Sequence, residues 1–576
     1  MIDKLSKFRE IWFIDFEFNF KGDGGNPVPI CLAARELRSN ELHRIWLHEQ
    51  KPLLKFPYSM DKDSLVIAYY STAEMLCHLA LGFELPTNVL DLYVEFRCLT
   101  SGLTALYGHS LLGALSYFGL NGIATSEKES MRQLILNNNS WTNKEKEMVL
   151  DYCQSDVDAL HKLLPAMLPH IDLPRALLRG RAMRAFARIE QTSIPIDFKT
   201  YNKLNSLWPN IQKMLIDEVD KNYGVFDNRT FKTEKFARWL ENNQILWPKL
   251  PTGQLDLKRE TFKQMSKTYP VLKPLYDLRT TLSELRLNSL VVSPDGRNRV
   301  TLSPFASKTG RCQPSNSKYI FGLASWIRGL IKPTEGQAIA YLDYSQQELA
   351  IAAKLSEDKA MMEAYQSGDF YLEFAKQAKA VPIDATKESH KAIRDQFKVC
   401  ALGVLYGMEA PSLAKSLNIP LYRAKELLDL HRLTYPAYWD WADSNIIRFQ
   451  QNRKIQASFG WTLNMGKDIN FRSVKNFPMQ SNGAEMLRIA IILATERNIK
   501  VCGTVHDAIV IEAPTEKIDE VVTETQYLMC EASKLVLDGF PLRTEAKIIH
   551  YPNRFMDDKG LAMWNTVQTI LERICA

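Results

Sequence analysis

The stretch RDQFKVCALGVLYG, residues 394–407, carries the most informative pattern in the chain. Four of its residues recur at every fourth position: Arg394, Lys398, Leu402 and Tyr406. On a helix these residues lie along one face, with two cations at one end and an aromatic ring at the other. The cations could hold a triphosphate, and the ring, followed by the flexible Gly407, could contact a planar base. The pattern therefore predicts a nucleotide-binding helix, the alternative being an ordinary basic helix surface.

Two further segments deliver acidic residues at the ends of apolar, strand-like runs. YLDYSQQELAIAAKL (341–355) places Asp343 at the end of such a run and Glu348 at the entry to a helix. VHDAIVIEAP (505–514) places Asp507 on a strand or hairpin edge. Two carboxylates that meet on one sheet can bridge a pair of Mg²⁺ ions, as in-line phosphoryl transfer requires. Either Asp alone is more often a turn or cap residue, so the hypothesis rests on the combination.

In order and spacing, these three segments resemble the polymerase motifs of family A DNA polymerases, the group of bacterial DNA polymerase I and related bacteriophage enzymes. SKTGRCQPSN (307–316) resembles the family's segment that reads the primer–template minor groove, and FRSVKNFPMQSNGAEMLR (471–488) resembles its segment that contacts template and primer. Sequences of this family also have segments similar to WPKLPTGQ and IRGLIKPTEG. The resemblance therefore covers the chain from about Ala182 to the C-terminus. It implies a right-hand fold with thumb, palm and fingers.

The resemblance also implies roles for individual residues. Asp343 and Asp507, with the main-chain carbonyl of Tyr344, would hold two Mg²⁺ ions, or Mn²⁺ in their place, while the primer 3′-hydroxyl attacks a dNTP. Lys398 would protonate the leaving pyrophosphate, and Glu348 would leave no room for a 2′-hydroxyl. The residues that would bind the nucleotide are Arg394, Lys398, Leu402, Tyr406, Glu348, Gln346 and Tyr371. Those that would contact DNA are Arg311, Arg472, Asn476, Gln480 and His506.

Three positions depart from the family's usual sequence. Leu402 stands where the best-known members have Phe or Tyr, which affects stacking on the incoming nucleotide and discrimination against dideoxynucleotides. Ala508 follows Asp507 where many relatives have Glu, and we expect reduced or altered activity at most. Tyr371 stands where relatives often carry His, so a hydroxyl donor without positive charge would lie near the phosphates.

The N-terminal part contains two short acidic patterns. Asp15 and Glu17 form DxE on the apolar run IWFIDFEFNF (11–20), and Tyr152 and Asp156 form YxxxD on a predicted helix. Each pattern alone occurs by chance in a chain of this length. Together, ahead of polymerase motifs, they resemble the DEDDy-type 3′-5′ proofreading exonucleases, in which four acids bind two metal ions and a tyrosine orients a water.

One of the four acids lacks an exact match. The segment IAYYSTAEMLCHL (67–79) offers Glu74 where these exonucleases have Asp. Glutamate is one methylene longer but still a hard oxygen ligand, so metal binding with altered geometry is expected. Asp91 is a spare candidate. The alternative is a structural domain whose catalytic site is weakened or lost.

The expected architecture is an α/β multi-domain chain, an RNase H-like exonuclease domain followed by a right-hand polymerase. The predicted boundaries are residues 1–185 for the exonuclease-like domain and 186–576 for the polymerase domain. Within the latter we expect the thumb at about 186–296, the palm at about 297–358 and 432–576, and the fingers at about 359–431. No 5′ nuclease is expected ahead of these domains, so the chain resembles the shorter phage or prophage form.

Composition excludes several other classes. With 576 residues, 46% hydrophobic and 24% charged, the chain is neither disordered nor fibrous, and no apolar stretch approaches 18 residues. The N-terminus lacks the features of a signal peptide. We therefore expect a cytoplasmic protein, which would lie in the cytoplasm of the bacterial host if a phage encodes it. Nine scattered cysteines without a CxxC pair predict free thiols. We expect a monomer that binds primer–template DNA and dNTPs, with no visible site for a processivity factor.

Three competing interpretations stay open. A single-subunit, phage-type RNA polymerase shares the Asp pair and a similar cationic helix, although Glu348 and the exonuclease-like patterns argue against it. A catalytically silent primer–template binding protein would not need Asp343, Lys398 and Asp507 together. In a nuclease whose C-terminal part only grips DNA, loss of Asp15 rather than Asp343 would abolish activity.

Overall fold

The computed structural model describes residues 2–20, 24–48, 55–121, 125–284, 287–467 and 469–575. Its contacts divide the chain into two compact units. Unit 1 comprises Met1–Ser193, Thr301–Gln313 and Ile339–Ile548; unit 2 comprises Ile194–Val300, Pro314–Ala338 and Ile549–Ala576. Unit 1 therefore contains both sets of predicted acids. Among the helices of the described residues, none combines the length and the apolar character that crossing a membrane requires.

A five-stranded sheet forms the centre of the N-terminal part. Its strands are β1 (Glu10–Phe20), β2 (Pro27–Glu36), β3 (Leu42–Trp46), β4 (Ser64–Ala68) and β5 (Val89–Asp91). They lie in the order β3-β2-β1-β4-β5, with β2 antiparallel to β1 and β3, and β4 parallel to β1 and β5. The helices are α1 (Thr72–Ala80), α2 (Leu92–Thr100), α3 (Leu111–Tyr117), α4 (Thr125–Asn137), α5 (Asn143–Met167) and α6 (Leu173–Thr192).

The apolar run of β1 explains why helices cover both faces of this sheet. Successive strand residues point to opposite faces. Ile11 and Phe13 join a core that includes Leu160 of α5, whereas Trp12 joins a separate core that includes Met75 of α1. A strand that is apolar on both faces must be covered on both faces, so the layered α/β arrangement follows directly from the sequence.

Unit 2 is mainly helical. Its first helices are α7 (Phe198–Asp220), α8 (Thr233–Asn242), α9 (Arg259–Thr268) and α10 (Lys273–Glu284). Between and around them lie four two-residue strands: β6 (Ile194–Pro195), β7 (Phe226–Asp227), β8 (Thr230–Phe231) and β9 (Arg297–Asn298). The rings of Trp208 and Trp326 stack in its interior, with centroids 5.9 Å apart.

A second sheet, with strand order β13-β14-β10-β15, holds the C-terminal acids. The remaining strands are β10 (Gln337–Tyr344), β11 (Lys454–Gln456), β12 (Thr462–Asn464), β13 (Lys500–Val505), β14 (Ala508–Pro514) and β15 (Thr544–His550). The remaining helices are α11 (Gln347–Ser356), α12 (Lys359–Gln366), α13 (Phe370–Gln377), α14 (Lys391–Leu405), α15 (Ala410–Leu417), α16 (Leu421–Thr434), α17 (Pro436–Asn452), α18 (Phe471–Glu496), α19 (Ile518–Val536) and α20 (Asp558–Cys575). A run of helices thus separates β10 from β13 along the chain.

The central helix of this part is α18. Residues 481–492 are all buried, so this helix is a core element rather than a surface helix. Each cysteine whose side chain the structure describes is a free thiol, as the spacing predicted.

We predict that Gly180→Ala destabilises unit 1. A Cβ at this position of α6 would lie 1.8 Å from the carbonyl oxygen of Val89 in β5, where real Cβ contacts do not occur. Overpacking of this kind costs roughly 1 to 3 kcal/mol or more, which outweighs a gain of about 1 kcal/mol in helix propensity. Urea unfolding would measure the difference. Gly403→Ala, for which the three nearest atoms would all belong to the flexible Met408 side chain at 3.1 to 3.6 Å, is the matched control and should destabilise much less.

We also predict that Glu190 makes stability depend on pH. Its side chain is buried in α6 and accepts a 2.7 Å hydrogen bond from the amide of Leu302. Burial raises the pKa of Glu190 to about 8, from an ordinary value of 4.5. Between these values the folded chain keeps a proton that the unfolded chain releases, so the free energy of unfolding falls as pH rises from 4.5 to 8.

Glu190→Gln should weaken that pH dependence because the amide does not titrate. Denaturant unfolding at pH 5 and at pH 8 would show the smaller change in the variant, by roughly a few kcal/mol. An unchanged difference between the two pH values would contradict the buried, protonated carboxyl.

Candidate functional site

Asp343 and Asp507 meet at one end of the second sheet. Asp343 is near the end of β10, and Asp507 lies in the turn before β14, the strand adjacent to β10. Their carboxyl groups are close enough for the charge of Asp507 to act on Asp343. Burial, followed by the charge of Asp507, raises the pKa of Asp343 to about 7. Burial also raises the pKa of Asp507, although the cation of Arg311 opposes the effect.

The backbone around this pair is strained. Val505 pairs with Ala508, so His506 and Asp507 alone make the hairpin loop. His506 has φ +55, and Gln346, just after β10, also has φ +55. Positive φ is uncommon outside glycine and concentrates where function dictates the geometry. Both strained residues flank the acid pair.

Glu348 contacts the end of the cationic helix, and its charge acts on Asp507. Its Oε2 accepts a 2.5 Å hydrogen bond from the hydroxyl of Tyr406, and its Oε1 lies 3.5 Å from a guanidinium nitrogen of Arg311. Tyr406 caps the C-terminus of α14, and Gly407 follows with φ +66, the left-handed conformation that ends helices. The sequence-predicted residues Arg311, Glu348, Tyr406 and Asp507 therefore lie together.

The cationic face of α14 packs on Tyr371. The charged groups of Arg394 and Lys398 lie 5.4 and 5.5 Å from the centre of its ring. Arg394 also donates a 2.5 Å hydrogen bond to Asp369, the residue that caps the N-terminus of α13. Burial raises the pKa of Tyr371 to about 12, so its hydroxyl stays protonated and can donate. Leu402 is half-buried on the same face.

The predicted DNA-contacting residues of α18 lie on neighbouring turns. Asn476 and Gln480 line a cavity together with residues 307–309. Arg472, one turn earlier, is exposed and donates a 3.1 Å hydrogen bond to Glu409. His506 is exposed and does not belong to this group, because it lies in the hairpin loop beside Asp507.

A second acidic cluster lies in the N-terminal part. Ligand oxygens of Asp15, Glu17 and Asp156 all lie within 4.8 Å of one another. Glu74 is not within that distance of all three, but it is buried beside Asp15. Burial, followed by the charge of Asp15, raises the pKa of Glu74 well above its usual range. Burial likewise raises the pKa of Tyr152, which lies one helical turn before Asp156 on α5.

The spare candidate Asp91 has a structural role instead. It caps α2 by accepting hydrogen bonds from the amides of Tyr93 and Val94, and it also binds the amides of Tyr70 and Ser71 and the Ser71 hydroxyl. An aspartate whose oxygens are this fully occupied is not available as a metal ligand.

Both clusters suit hard divalent cations. Within the described residues, no donor reaches the buried Oδ1 of Asp343 or the buried Oε2 of Glu74. Buried carboxylates held close together without a compensating donor are costly, and a cation removes that cost. Carboxylate and main-chain carbonyl oxygens are the ligands that Mg²⁺ prefers. The residues present therefore fit the expected metal ions.

Sequence reasoning missed two residues of the C-terminal site. Asp369 precedes a helical run, which is an N-cap signal, but nothing in the sequence indicates its ion pair with Arg394. Glu545 on β15 raises the pKa of Asp343 by its charge and binds the Ser345 hydroxyl at 3.0 Å. Its place beside β10 depends on sheet pairing across some two hundred residues, and no local pattern carries that information.

Comparisons with known proteins point to one family. A family model described as DNA polymerase family A matches residues 248–550. DNA polymerase I of Aquifex aeolicus is 24% identical over 552 residues, covering 83% of this chain and 94% of the relative. The thermostable DNA polymerase I of Thermus aquaticus is 24% identical, covering 68% of this chain and 47% of the relative. The chain thus spans nearly all of the first relative and about half of the second.

A solved structure has the same fold. The polymerase domain of Pol1 from M. smegmatis, in a complex with DNA primer–template and dNTP, superimposes with a TM-score of 0.71 at 17% identity. The match covers 95% of this chain and 96% of that one. It confirms the predicted α/β multi-domain fold class, whereas the boundaries of the individual domains stay a prediction.

We predict that Mg²⁺ stabilises the chain through both acidic clusters. A ligand at 100 times its dissociation constant adds about 2.7 kcal/mol, so millimolar Mg²⁺ should raise the melting temperature by a few degrees over NaCl of equal ionic strength. Asp343→Asn with Asp507→Asn, and separately Asp15→Asn with Asp156→Asn, should each remove part of this rise. Each pair should also raise the metal-free melting temperature, because it removes charge repulsion. An equal Mg²⁺ effect in all variants would show that the ions bind elsewhere.

Proposed function

The chain belongs to DNA polymerase family A, and we propose that it is a template-directed DNA polymerase that adds deoxyribonucleotides to the 3′ end of a primer. The observation that carries this proposal is the pairing of Asp343 with Asp507 at one sheet end, with Glu348, whose charge acts on Asp507, bound to Tyr406 at the end of the cationic helix α14. Two comparisons support this proposal. The relatives are DNA polymerases I, and the structurally similar Pol1 domain was solved with DNA primer–template and dNTP.

In the proposed reaction, the primer 3′-hydroxyl loses its proton to solvent, its oxygen forms a bond to the α-phosphorus of a dNTP, and the bond from that phosphorus to the pyrophosphate oxygen breaks. Asp343, Asp507 and the carbonyl of Tyr344 would hold two Mg²⁺ ions. When bound, the ions lower the pKa of the attacking hydroxyl and neutralise charge on the leaving group. The role of the two carboxylates is therefore to keep their oxygens directed at the point where the ions would bind.

Residues of α14 bind and protonate the triphosphate in this proposal. Arg394 is already oriented by Asp369 and by the ring of Tyr371, so little side-chain freedom is lost on binding. Lys398 is exposed on the same face and donates its proton to the departing pyrophosphate. Leu402 and Tyr406 would contact the incoming nucleotide and the templating position.

Glu348 selects the sugar. Its carboxylate is fixed by Tyr406 and faces Arg311, so it cannot easily turn away from a ribose 2′-hydroxyl. A fixed carboxylate in that position excludes the extra oxygen by steric conflict. This arrangement favours deoxyribonucleotides and argues against the RNA polymerase interpretation.

A second activity, 3′-5′ exonuclease proofreading, rests on a separate observation. Asp15, Glu17 and Asp156 bring ligand oxygens within 4.8 Å, with Glu74 buried beside them. Tyr152 lies on the same helix as Asp156 and stays protonated, so its hydroxyl can orient an attacking water. We propose that these residues remove mispaired primer ends.

A denaturing gel of a 5′-labelled primer on a longer template, with Mg²⁺, tests both activities. The primer should lengthen with dNTPs but not with rNTPs, and it should shorten when nucleotides are left out. Asp343→Asn should reduce extension by about 10³-fold or more while leaving shortening intact, and Asp15→Asn should do the reverse. Glu348→Ala should increase ribonucleotide use by on the order of 10²-fold.

Other outcomes would select the competing interpretations. Extension with rNTPs by the unaltered chain would favour an RNA polymerase. Full activity in Asp343→Asn, with complete loss in Asp15→Asn, would favour a nuclease that only grips DNA. Unchanged primers in every lane, with DNA binding retained, would favour a silent binding protein.

A further inference from the structure

The segment that carries Arg311 is an irregular turn, residues 305–311, which we call the Arg311 turn. Within it, the amide of Arg311 donates to the Ser307 hydroxyl at 2.7 Å, and the amide of Gly310 donates to the Ser307 carbonyl at 3.1 Å. Gly310 has φ +75, and a Cβ there would lie 3.1 Å from the indole ring of Trp461. The turn is therefore tightly constrained, although no sheet ladder supports it.

Side chains from outside the turn satisfy its main-chain carbonyls. Trp461 donates to the carbonyl of residue 308 at 3.0 Å, and Arg488 of α18 donates to that of residue 310 at 2.6 Å. The other two donors come from the N-terminal part. Arg97 donates to the carbonyls of residues 305 and 306, and Ser101 donates to that of residue 308 at 3.0 Å.

Arg97 has no part in the acidic cluster of the N-terminal sheet. It lies on α2, partly buried, and burial lowers the pKa of its guanidinium. Its Nη1 also contacts the ring of His109 at 3.0 Å. Burying a guanidinium is costly, and charge-assisted hydrogen bonds to carbonyls offset that cost. The arginine is thus committed to holding the main chain of the Arg311 turn.

We propose that Arg97 and Ser101 are positioning residues for primer–template binding, acting through the Arg311 turn on the guanidinium of Arg311. This inference rests on the proposed function, in which Arg311 contacts DNA. The N-terminal part then contributes to DNA binding at the polymerase site whether or not it hydrolyses DNA. Arg311 must reach both Glu348 and the DNA, and a displacement of about 1 Å in such a site can cost on the order of 10²-fold.

A double-mutant cycle on the full chain tests the inference. Primer–template affinity is measured by fluorescence anisotropy for the unaltered chain, Arg97→Met, Arg311→Ala and the double variant. We expect Arg97→Met to weaken binding by about 10-fold, because the methionine fills the space but donates nothing. In the Arg311→Ala background the same substitution should change affinity by less than about two-fold, because its effect passes through Arg311.

Two further variants separate positioning from general destabilisation. Arg97→Lys keeps a charged donor and should recover only part of the affinity, because its single nitrogen does not reproduce the fork with which Arg binds two carbonyls. Arg181→Met is the matched control. Arg181 also joins the N-terminal part to α18, through hydrogen bonds of 3.0 and 2.7 Å to Glu496, but it does not touch the Arg311 turn. Its replacement should leave affinity unchanged.

The outcomes distinguish this inference from the proposed function. Equal weakening by Arg97→Met in both backgrounds would overturn it, as would no weakening at all while Arg311→Ala weakens binding. If Arg311→Ala itself leaves affinity unchanged, the assigned role of Arg311 in the proposed function fails. Should Arg97→Met not fold, the cycle is run with Ser101→Ala, which removes one hydrogen bond, and the same non-additivity is expected.

Discussion

Two carboxylates held together at one end of a sheet are the constraint on which the C-terminal half depends. Asp343 and Asp507 repel each other when both are ionised, and their partial burial makes the repulsion stronger. Adjacent strands, a two-residue hairpin loop and positive φ at His506 and Gln346 force the contact. Such an arrangement lowers stability unless a cation offsets the repulsion between the two acids.

The N-terminal sheet also holds acidic side chains close together, but it does so with different secondary-structure elements. There Asp15 and Glu17 point to one face because they are two residues apart on β1, and helix α5 brings Asp156 to that face. Glu74 reaches the cluster from a third element, α1. In both places the acids are drawn from separate elements of a rigid layered core. A core of that kind can hold like charges at fixed distances, which a loop cannot.

The parts of the site that could be predicted from the sequence are those with local periodicity. The spacing of Arg394 and Lys398 fixes their common helix face, and both do lie over one ring. From the strand pattern, Asp343 and Asp507 could meet on one sheet, but only the family resemblance implied that they do, because sheet order is set by long-range pairing. The partners Asp369 and Glu545 carried no sufficient signal. Local periodicity determines the face of an element on which a side chain lies, whereas tertiary packing determines which residues that side chain contacts.

The irregular backbone of residues 301–313 shows why the N-terminal and C-terminal segments of unit 1, residues 1–193 and 339–548, depend on each other. A strand supplies its own hydrogen-bond ladder, but a turn of this kind must find a donor for each buried carbonyl. Arg97 supplies two of those bonds from the N-terminal sheet domain, and Arg488 supplies another from α18. Substitution of the acidic cluster, to which we assign the proposed nuclease activity, would leave these bonds unchanged. The N-terminal part therefore has a structural role that is independent of the four acids of its cluster.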